Sequence, residues 1–554
     1  MSEPPAPSAV ADHSGQPTVT GMLTAREHDQ HPGLLFEDRR WTWAEKVREC
    51  RDRAAFLRSI RRPDEPFHIG LLLDNVPEFS FLLGGAALSG AVIVGLNTQR
   101  RGRGLAHDIE LSDCQAVITE QRYREVLDEA LRSPEPGGAE LGADRVFDVD
   151  APEWQGIVDA VRGSDVEAVQ AHADDLLMLI FTSGTSGEPK AVRCTQGKIA
   201  YPGGMLAERL GLSTQDTTYL SMPLFHSNAI LAGWSVGLAA GATLALRRKF
   251  SASGFLDDVR RFGATYLNYV GKPLSYVLAT PERPDDADNP LRLVYGNEGA
   301  RADIDRFRQR FGCEVIDGFG STEGGVAISA DPSAPAGALG RLTEGVSVLD
   351  PATGRSCPPA RFDAHGQVAN PDEAVGELVN TSGPGSFAGY YRDPESNAER
   401  LRGGMYWSGD LAYRDAEDFC YFIGRSGDWL RVDGENMGTA PIERVLVRHP
   451  SVVEAAVYAV PDPQVGDQIM AALVLRDGTG LTPEDFASFL AAERELGPKQ
   501  VPRFVRLATE LPRTSTHKII KRELAKQRWD CPDPVWFRDG PELAYRPLTD
   551  QHAS

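Results

Sequence analysis

Behind the apolar run LLMLIF stands Thr182-Ser183-Gly184-Thr185-Ser186-Gly187-Glu188-Pro189-Lys190, with four hydroxyls, two glycines and a lysine. Backbone N–H groups in a glycine-bearing loop, hydroxyls and an ammonium together suit the oxygens of an oligophosphate. Taken alone, a Ser/Gly surface loop is the plain alternative. The pattern GxxxxGK[ST] is found nowhere in the chain, so this is not a Walker A loop. The seven cysteines stand singly, with no CxxC pair and no histidine cluster at metal-ligand spacing. That argues against structural zinc and for a reducing, cytoplasmic setting.

The elements that must hold such a loop read as α/β. From about Leu34, short apolar runs (HIGLLLDN, AVIVGLN, CQAVITE) alternate with helix-like ones, and the pattern returns between Leu176 and Val315. Buried strands separated by helices imply βα units, and here two α/β lobes built on mostly parallel sheets. Two uncharged stretches, Phe79 to Asn97 and Ala229 to Leu246, are long enough to span a bilayer. Gly90 and Gly241 divide each of them, so they read as helix, glycine turn and buried strand rather than membrane spans. After Gly337 the sequence becomes a small antiparallel β region. Beyond Arg425 it becomes an α+β domain of helices (APIERVLVRHP, TPEDFASFLAAER) and strands (EAAVYAVPD, IMAALVLR, PRFVRLA). The expected organisation is a flexible tail over 1–30, a large N-terminal domain over 31–424 and a small mobile C-terminal domain over 425–554. A formal charge of -21 over 554 residues repels nucleic-acid phosphates and anionic lipid. No nucleic-acid partner and no integral membrane span is expected, and membrane association is weak at most.

In company with several motifs further along the chain, TSGTSGEPK resembles the phosphate loop of the adenylate-forming superfamily, which includes acyl-CoA synthetases. The family's motifs run in order from Leu34 to Leu524. Tyr295-Gly296-Asn297-Glu298-Gly299-Ala300 stands where the family supplies backbone for the adenine face. Asp317-Gly318-Phe319-Gly320-Ser321-Thr322-Glu323 is similar to its YGxTE motif, with Phe319 in place of tyrosine. The resemblance implies that Phe319 packs beside adenine, that Thr322 bonds the α-phosphate and that Glu323 ligates Mg2+. A hard cation beside phosphates takes carboxylate oxygen. Tyr406-Trp407-Ser408-Gly409-Asp410 resembles the TGD motif, whose aspartate holds both ribose hydroxyls, since a carboxylate accepts two hydrogen bonds from a cis-diol. Phe422 and Arg425 match positions that flank the ribose.

PRTSTHKI resembles the C-terminal PxTxxGK motif, with Lys518 as the catalytic lysine and His517 where glycine is usual. Gly427 takes the hinge position. The run GRSGDWLRVDGENM is most similar to the fatty-acid-transport and very-long-chain acyl-CoA synthetase branch, implying a sizeable apolar carboxylic acid. MPLFHSNA is similar to the segment that opens the acid site, which places His226 there. Trp234 is expected to face the acid or gate its tunnel, with Gly233 and Gly237 leaving room for bulk and Gly320 beside the substrate. A buried tryptophan in a core helix is the alternative for Trp234. The implied reaction uses ATP, Mg2+ and coenzyme A to make acyl-AMP, pyrophosphate and then a thioester. Two alternatives stay open: transfer to a carrier-protein thiol, and adenylation only, with a partner synthetase completing the thioester.

Overall fold

The structure is a computed structural model that describes residues 15–132, 141–164, 167–183, 189–331, 333–363, 368–425, 429–432, 435–462, 466–493, 496, 500–513, 519–538, 540 and 542–548. Two compact units emerge from its packing. One comprises residues 1–324 with 386–398, the other 325–385 with 399–554.

The first unit is α/β throughout. Its strands are β1 (Pro32–Phe36), β2 (Arg39–Thr42), β3 (His68–Leu72), β4 (Val92–Gly95), β5 (Cys114–Thr119), β6 (Val146–Asp148), β7 (Leu176–Ser183), β8 (Pro189–Thr195), β9 (Thr217–Leu220), β10 (Thr243–Leu246), β11 (Tyr266–Val270), β12 (Leu293–Asn297) and β13 (Glu314–Gly320). One sheet runs β6-β5-β3-β4-β7-β8, parallel except for the final antiparallel pair. The other runs β13-β12-β11-β9-β10-β1-β2, parallel up to β1. Every residue of β3, β4 and β10 is buried, as strands covered on both faces require.

Both uncharged stretches resolve as the sequence predicts. Helix α1 (Val19–Thr24), helix α2 (Trp43–Ser59) and helix α3 (Pro77–Ser89) open the chain, and α3 ends on Gly90 at φ 79°, a left-handed cap that costs glycine least, before β4. The second stretch ends its helix, Ser235–Ala240, on Gly241 at φ 67° before β10. Sequence periodicity did not foretell the π-helical turn Ile230–Trp234 ahead of that helix. The expected tail over 1–30 also holds more order than anticipated, because Thr18 caps α1 and the apolar residues Val19, Met22 and Leu23 are buried. Among the described residues no helix is long and apolar enough to cross a membrane.

Helix α2 starts on a capping box in which Thr42 and Glu45 satisfy each other's backbone donors. It approaches α3 closely, since a Cβ at Gly85 would lie 2.8 Å from Cβ of Arg53. The Arg53 guanidinium is nonetheless buried, held by both Glu78 oxygens at 2.6 and 2.8 Å. Lys46, one turn into α2, is different. It is fully buried, and its amine has no hydrogen-bond partner among the described residues. The Nζ atom lies 4.8 Å from the ring centre of Trp43 and 5.1 Å from that of Trp234.

The second unit contains the expected antiparallel region. Strands Gly340–Arg341, Phe419–Arg425, Met405–Arg414, Gly376–Asn380 and Val346–Leu349 lie in that spatial order, all antiparallel. The expected C-terminal elements follow: helices Thr439–Leu446 and Pro483–Ala492, and strands Val452–Asp462, Gly466–Leu475 and Phe504–Ala508 around a common core.

Candidate active site

In the first unit, β7 delivers Thr182 to the start of the candidate phosphate loop and β8 carries Lys190 away from it, with Thr182↔Lys190 opposed in the antiparallel pair. Residues Gly184, Thr185, Ser186 and Gly187 lie outside the described residues, as does the side chain of Ser183. Lys190 places its ammonium 5.3 Å from the ring centre of Tyr390. The segment around Tyr390 is stitched to the edge of β8: the Arg193 N–H donates to the Gly389 carbonyl at 3.0 Å and the Tyr391 N–H to the Ala191 carbonyl at 2.8 Å. The Tyr390 hydroxyl donates to Oε1 of Glu323 at 3.1 Å. Lys198 donates to the main-chain carbonyl of Glu323 at 2.9 Å, and Thr322 shares a 2.7 Å hydroxyl contact with Ser227. A cation, a phenol, a carboxylate and two hydroxyls are therefore wired together in one unit.

Sheet register fixes the neighbouring segment. Tyr269 on β11, Gly296 on β12 and Asp317 on β13 stand side by side. The Tyr269 ring crosses over Gly296, where a Cβ would collide with it, and its hydroxyl donates to Oδ2 of Asp317. The Gly299 N–H donates to the same oxygen at 2.8 Å, and Asn297 bonds the Gly318 carbonyl at 2.8 Å. Burial pushes the Asp317 carboxyl up to about 6, and the charge of Glu298 adds to this. The Tyr269 hydroxyl and Gly299 N–H oppose it. Burial likewise drives the Tyr269 phenol well above its ordinary value. Phe319, Gly320 and Ser321 continue this segment to Thr322, and a Cβ at Gly320 would meet open space.

His226 caps the short helix Ser227–Ala229, its ring 4.4 Å from that of Phe225. The preceding loop is held by Asn75, which bonds the Met222 carbonyl and the Leu224 N–H at 2.9 Å each. Trp234 and the two glycines behave otherwise than expected. Trp234 is fully buried and donates its indole N–H to Ser80 at 2.9 Å, in the core beside Lys46. A Cβ at Gly233 would fall 2.6 Å from Oδ1 of Asn268, and one at Gly237 would meet Leu244 and Thr218. These glycines let the helix lie against the sheet and leave no space for bulk. A small apolar void of about 10 Å³, room for about one water, lies among β9, β11 and the helices beyond, lined by Met222, Phe255, Leu267, Tyr269, Leu274 and Phe307. Its wall belongs to a core distinct from the one that contains Ala232 and Val236 after His226, because alternate residues of β11 face opposite sides of the sheet.

In the second unit, Asp410 is buried on the long strand Met405–Arg414 and stands opposite Arg425 in register. The Ser408 hydroxyl accepts from the Asp410 N–H at 3.0 Å. Phe422 lies on the same partner strand, opposite Ala412. The side chain of Arg425, together with Gly427, Gly434, His517 and Lys518, falls outside the described residues.

Residues 23–391 match the AMP-binding enzyme family, and residues 441–518 match the AMP-binding enzyme C-terminal domain. The chain belongs to the AMP-binding enzyme family. This AMP-binding enzyme is 54% identical over 523 residues to the medium/long-chain-fatty-acid–CoA ligase FadD17 of Mycobacterium marinum, covering 94% of this chain and 99% of that one. It is 47% identical over 540 residues to the steroid-22-oyl-CoA synthetase of Rhodococcus jostii, covering 96% and 95%. Among solved structures, ATP-bound MatB from Rhodopseudomonas palustris superposes with a TM-score of 0.79 at 22% identity, over 93% of this chain and 99% of that one, which establishes the shared fold. The adenylate-forming resemblance read from the motifs therefore holds along the chain.

Sequence reading passed over Tyr390, Lys198, Ser227 and Tyr269. Tyr390 had a signal in the Gly-Tyr-Tyr run of AGYYRDPESN, but its link to Glu323 spans 67 residues and exists only in the fold.

Proposed function

We propose that this enzyme activates a hydrophobic carboxylic acid with ATP, forming acyl-AMP and pyrophosphate, and then transfers the acyl group to coenzyme A. The observation that carries the reading is one juxtaposition: the Tyr390 hydroxyl donates to Glu323 while the Lys190 ammonium lies 5.3 Å from the same ring, and Thr322, next in chain to Glu323, shares a hydroxyl contact with Ser227 beside His226. The relatives act on fatty and steroid-side-chain acids, which supports a large apolar acyl group, and both are CoA ligases, which supports coenzyme A over a carrier protein.

An oxygen of the acid attacks the α-phosphorus and pyrophosphate departs. Lys190 and the 182–187 loop hold the leaving oxygens, Thr322 bonds the α-phosphate, Asp410 grips the ribose diol with Phe422 and Arg425 beside it, and Lys518 offsets charge where two anions meet. A coenzyme A thiol then attacks the acyl carbonyl and AMP leaves, after residues 425–554 turn about Gly427 and withdraw Lys518. Glu323 fits Mg2+: it presents a carboxylate next in chain to Thr322, with the Tyr390 hydroxyl donating to one of its oxygens. A cation held by one or two carboxylates, with substrate phosphates and water completing its shell, is how Mg2+ is ordinarily bound. When bound it would neutralise phosphate charge. A cytoplasmic location suits seven free cysteines.

The test is a mass-spectrometric screen of medium-chain, long-chain and steroid-side-chain acids with ATP and coenzyme A, scoring adenylates and CoA esters separately. We expect both products from at least one apolar class. Adenylates with no CoA ester would overturn the assigned acceptor, and the absence of any adenylate would overturn the function.

A further inference from the structure

Tyr390 is 3% exposed and lies where the chain returns to the first unit, in residues 386–398. Its main chain is fixed on both sides. Tyr390 pairs with Val192 as a lone antiparallel bridge at the edge of β8, between the Arg193 N–H bond to Gly389 and the Tyr391 N–H bond to Ala191. The Asn397 carboxamide closes the other side, accepting from the Tyr390 N–H at 2.6 Å and donating to its carbonyl at 3.0 Å. Gly389 makes the turn at φ 91°, a left-handed conformation that costs glycine least.

Packing alone would be served by phenylalanine here, with the Phe387 ring meeting Tyr390 edge-on at 5.2 Å. A buried phenol needs a partner, and this one has a charged partner in Glu323. The main chain of Glu323 and Gly324 is held by other groups: Lys198 donates to the Glu323 carbonyl, and the Ser386 N–H to the Gly324 carbonyl at 3.1 Å. Those bonds do not choose a rotamer for the Glu323 side chain, and choosing one costs free energy when a cation binds. The Tyr390 hydroxyl selects one in advance. The same ring lies 5.3 Å from the Lys190 ammonium, within cation–π range.

We propose that Tyr390 is a positioning residue for adenylation: its hydroxyl sets the Glu323 carboxylate for the Mg2+ that accompanies ATP, and its ring holds the Lys190 ammonium at the end of the phosphate loop. This rests on the reading that Glu323 and Lys190 serve ATP. The two contacts are chemically separable. Phenylalanine removes the first and keeps the second, and leucine removes both.

The experiment measures ATP binding to the full-length enzyme by calorimetry without acid, once in Mg2+ and once in EDTA, and pyrophosphate release with dodecanoic acid over a range of Mg2+. The gain in ATP affinity that Mg2+ brings is the deciding quantity. Tyr390→Phe is expected to lower this gain about tenfold, the lower end of what losing a hydrogen bond to a metal-ligating group does. It should raise the Mg2+ needed for half-maximal pyrophosphate release by a similar factor, with ATP affinity in EDTA and KM for the acid at wild-type values. Tyr390→Leu is expected in addition to weaken ATP binding in EDTA about two- to fivefold, the worth of a cation–π contact. If Tyr390→Phe keeps the full gain and the wild-type Mg2+ requirement, the hydroxyl does not position Glu323. If it alters ATP affinity in EDTA and KM for the acid as much as the gain, Tyr390 serves packing alone. If Tyr390→Leu binds ATP in EDTA as Tyr390→Phe does, the ring does not hold Lys190. Glu323→Gln tests the reading beneath: an unchanged gain there means that Glu323 does not serve Mg2+, and that reading fails. Should Tyr390→Leu not fold, Tyr390→Phe decides.

Discussion

Lys518→Ala is expected to cut acyl-AMP formation about 100- to 1,000-fold, the scale of losing one preorganised charge that stabilises a transition state. Thioester formation from supplied acyl-AMP is expected to survive. The asymmetry follows from charge. In the first step a carboxylate approaches a phosphate, and a cation beside the reacting oxygens lowers that barrier. In the second, a thiol attacks a carbonyl and no anion is driven onto another. Separate assays of pyrophosphate release and of CoA ester made from synthetic acyl-AMP check it, and an equal fall in both would contradict the assigned role.

Lys46→Met is expected to stabilise the first unit by about 1–3 kcal/mol near pH 7, the range found for removing a buried polar group that lacks a partner. Methionine has a similar shape and carries no amine to desolvate. Burial holds the Lys46 amine below its ordinary value of 10.5. Between that lowered value and 10.5, the unfolded chain binds more protons at this site than the folded one. Wild-type stability therefore rises with pH across this window and is lost as pH falls through the folded value. The advantage of Lys46→Met should accordingly shrink as pH rises from 7 toward 10.5. Urea unfolding of both proteins over this range measures it. A destabilised variant at pH 7, or an advantage that does not change with pH, would show that the amine is paired.

Local chemistry made much of this molecule legible before its fold was known. Gly90 and Gly241 announced helix ends because a left-handed cap suits glycine, and both helices stop there. Apolar runs such as HIGLL could hardly be anything but buried parallel strands. The motif segments likewise fall on strands, with Thr182 and Gly296 near strand ends and Asp317 and Asp410 within their strands. What stayed hidden depends on partners far along the chain. Gly233 and Gly237 read equally well as room for a ligand or as contact points for a sheet, and only the positions of Asn268 and Leu244 decide. Trp234 as a gate and Trp234 as core have the same sequence; Ser80, 154 residues away, claims its indole. The Tyr269–Asp317 bond joins residues 48 apart through strand register, which no periodicity reports.

The central claim is that the acid's own oxygen attacks the α-phosphorus. Incubating the enzyme with ATP, coenzyme A and an acid labelled with oxygen-18 in its carboxylate tests it most directly. Attack at the α-phosphorus leaves one labelled oxygen in AMP once the thiol displaces it. The account predicts singly labelled AMP and unlabelled pyrophosphate. Label in pyrophosphate or orthophosphate, or CoA ester formed with no label in AMP, would contradict it.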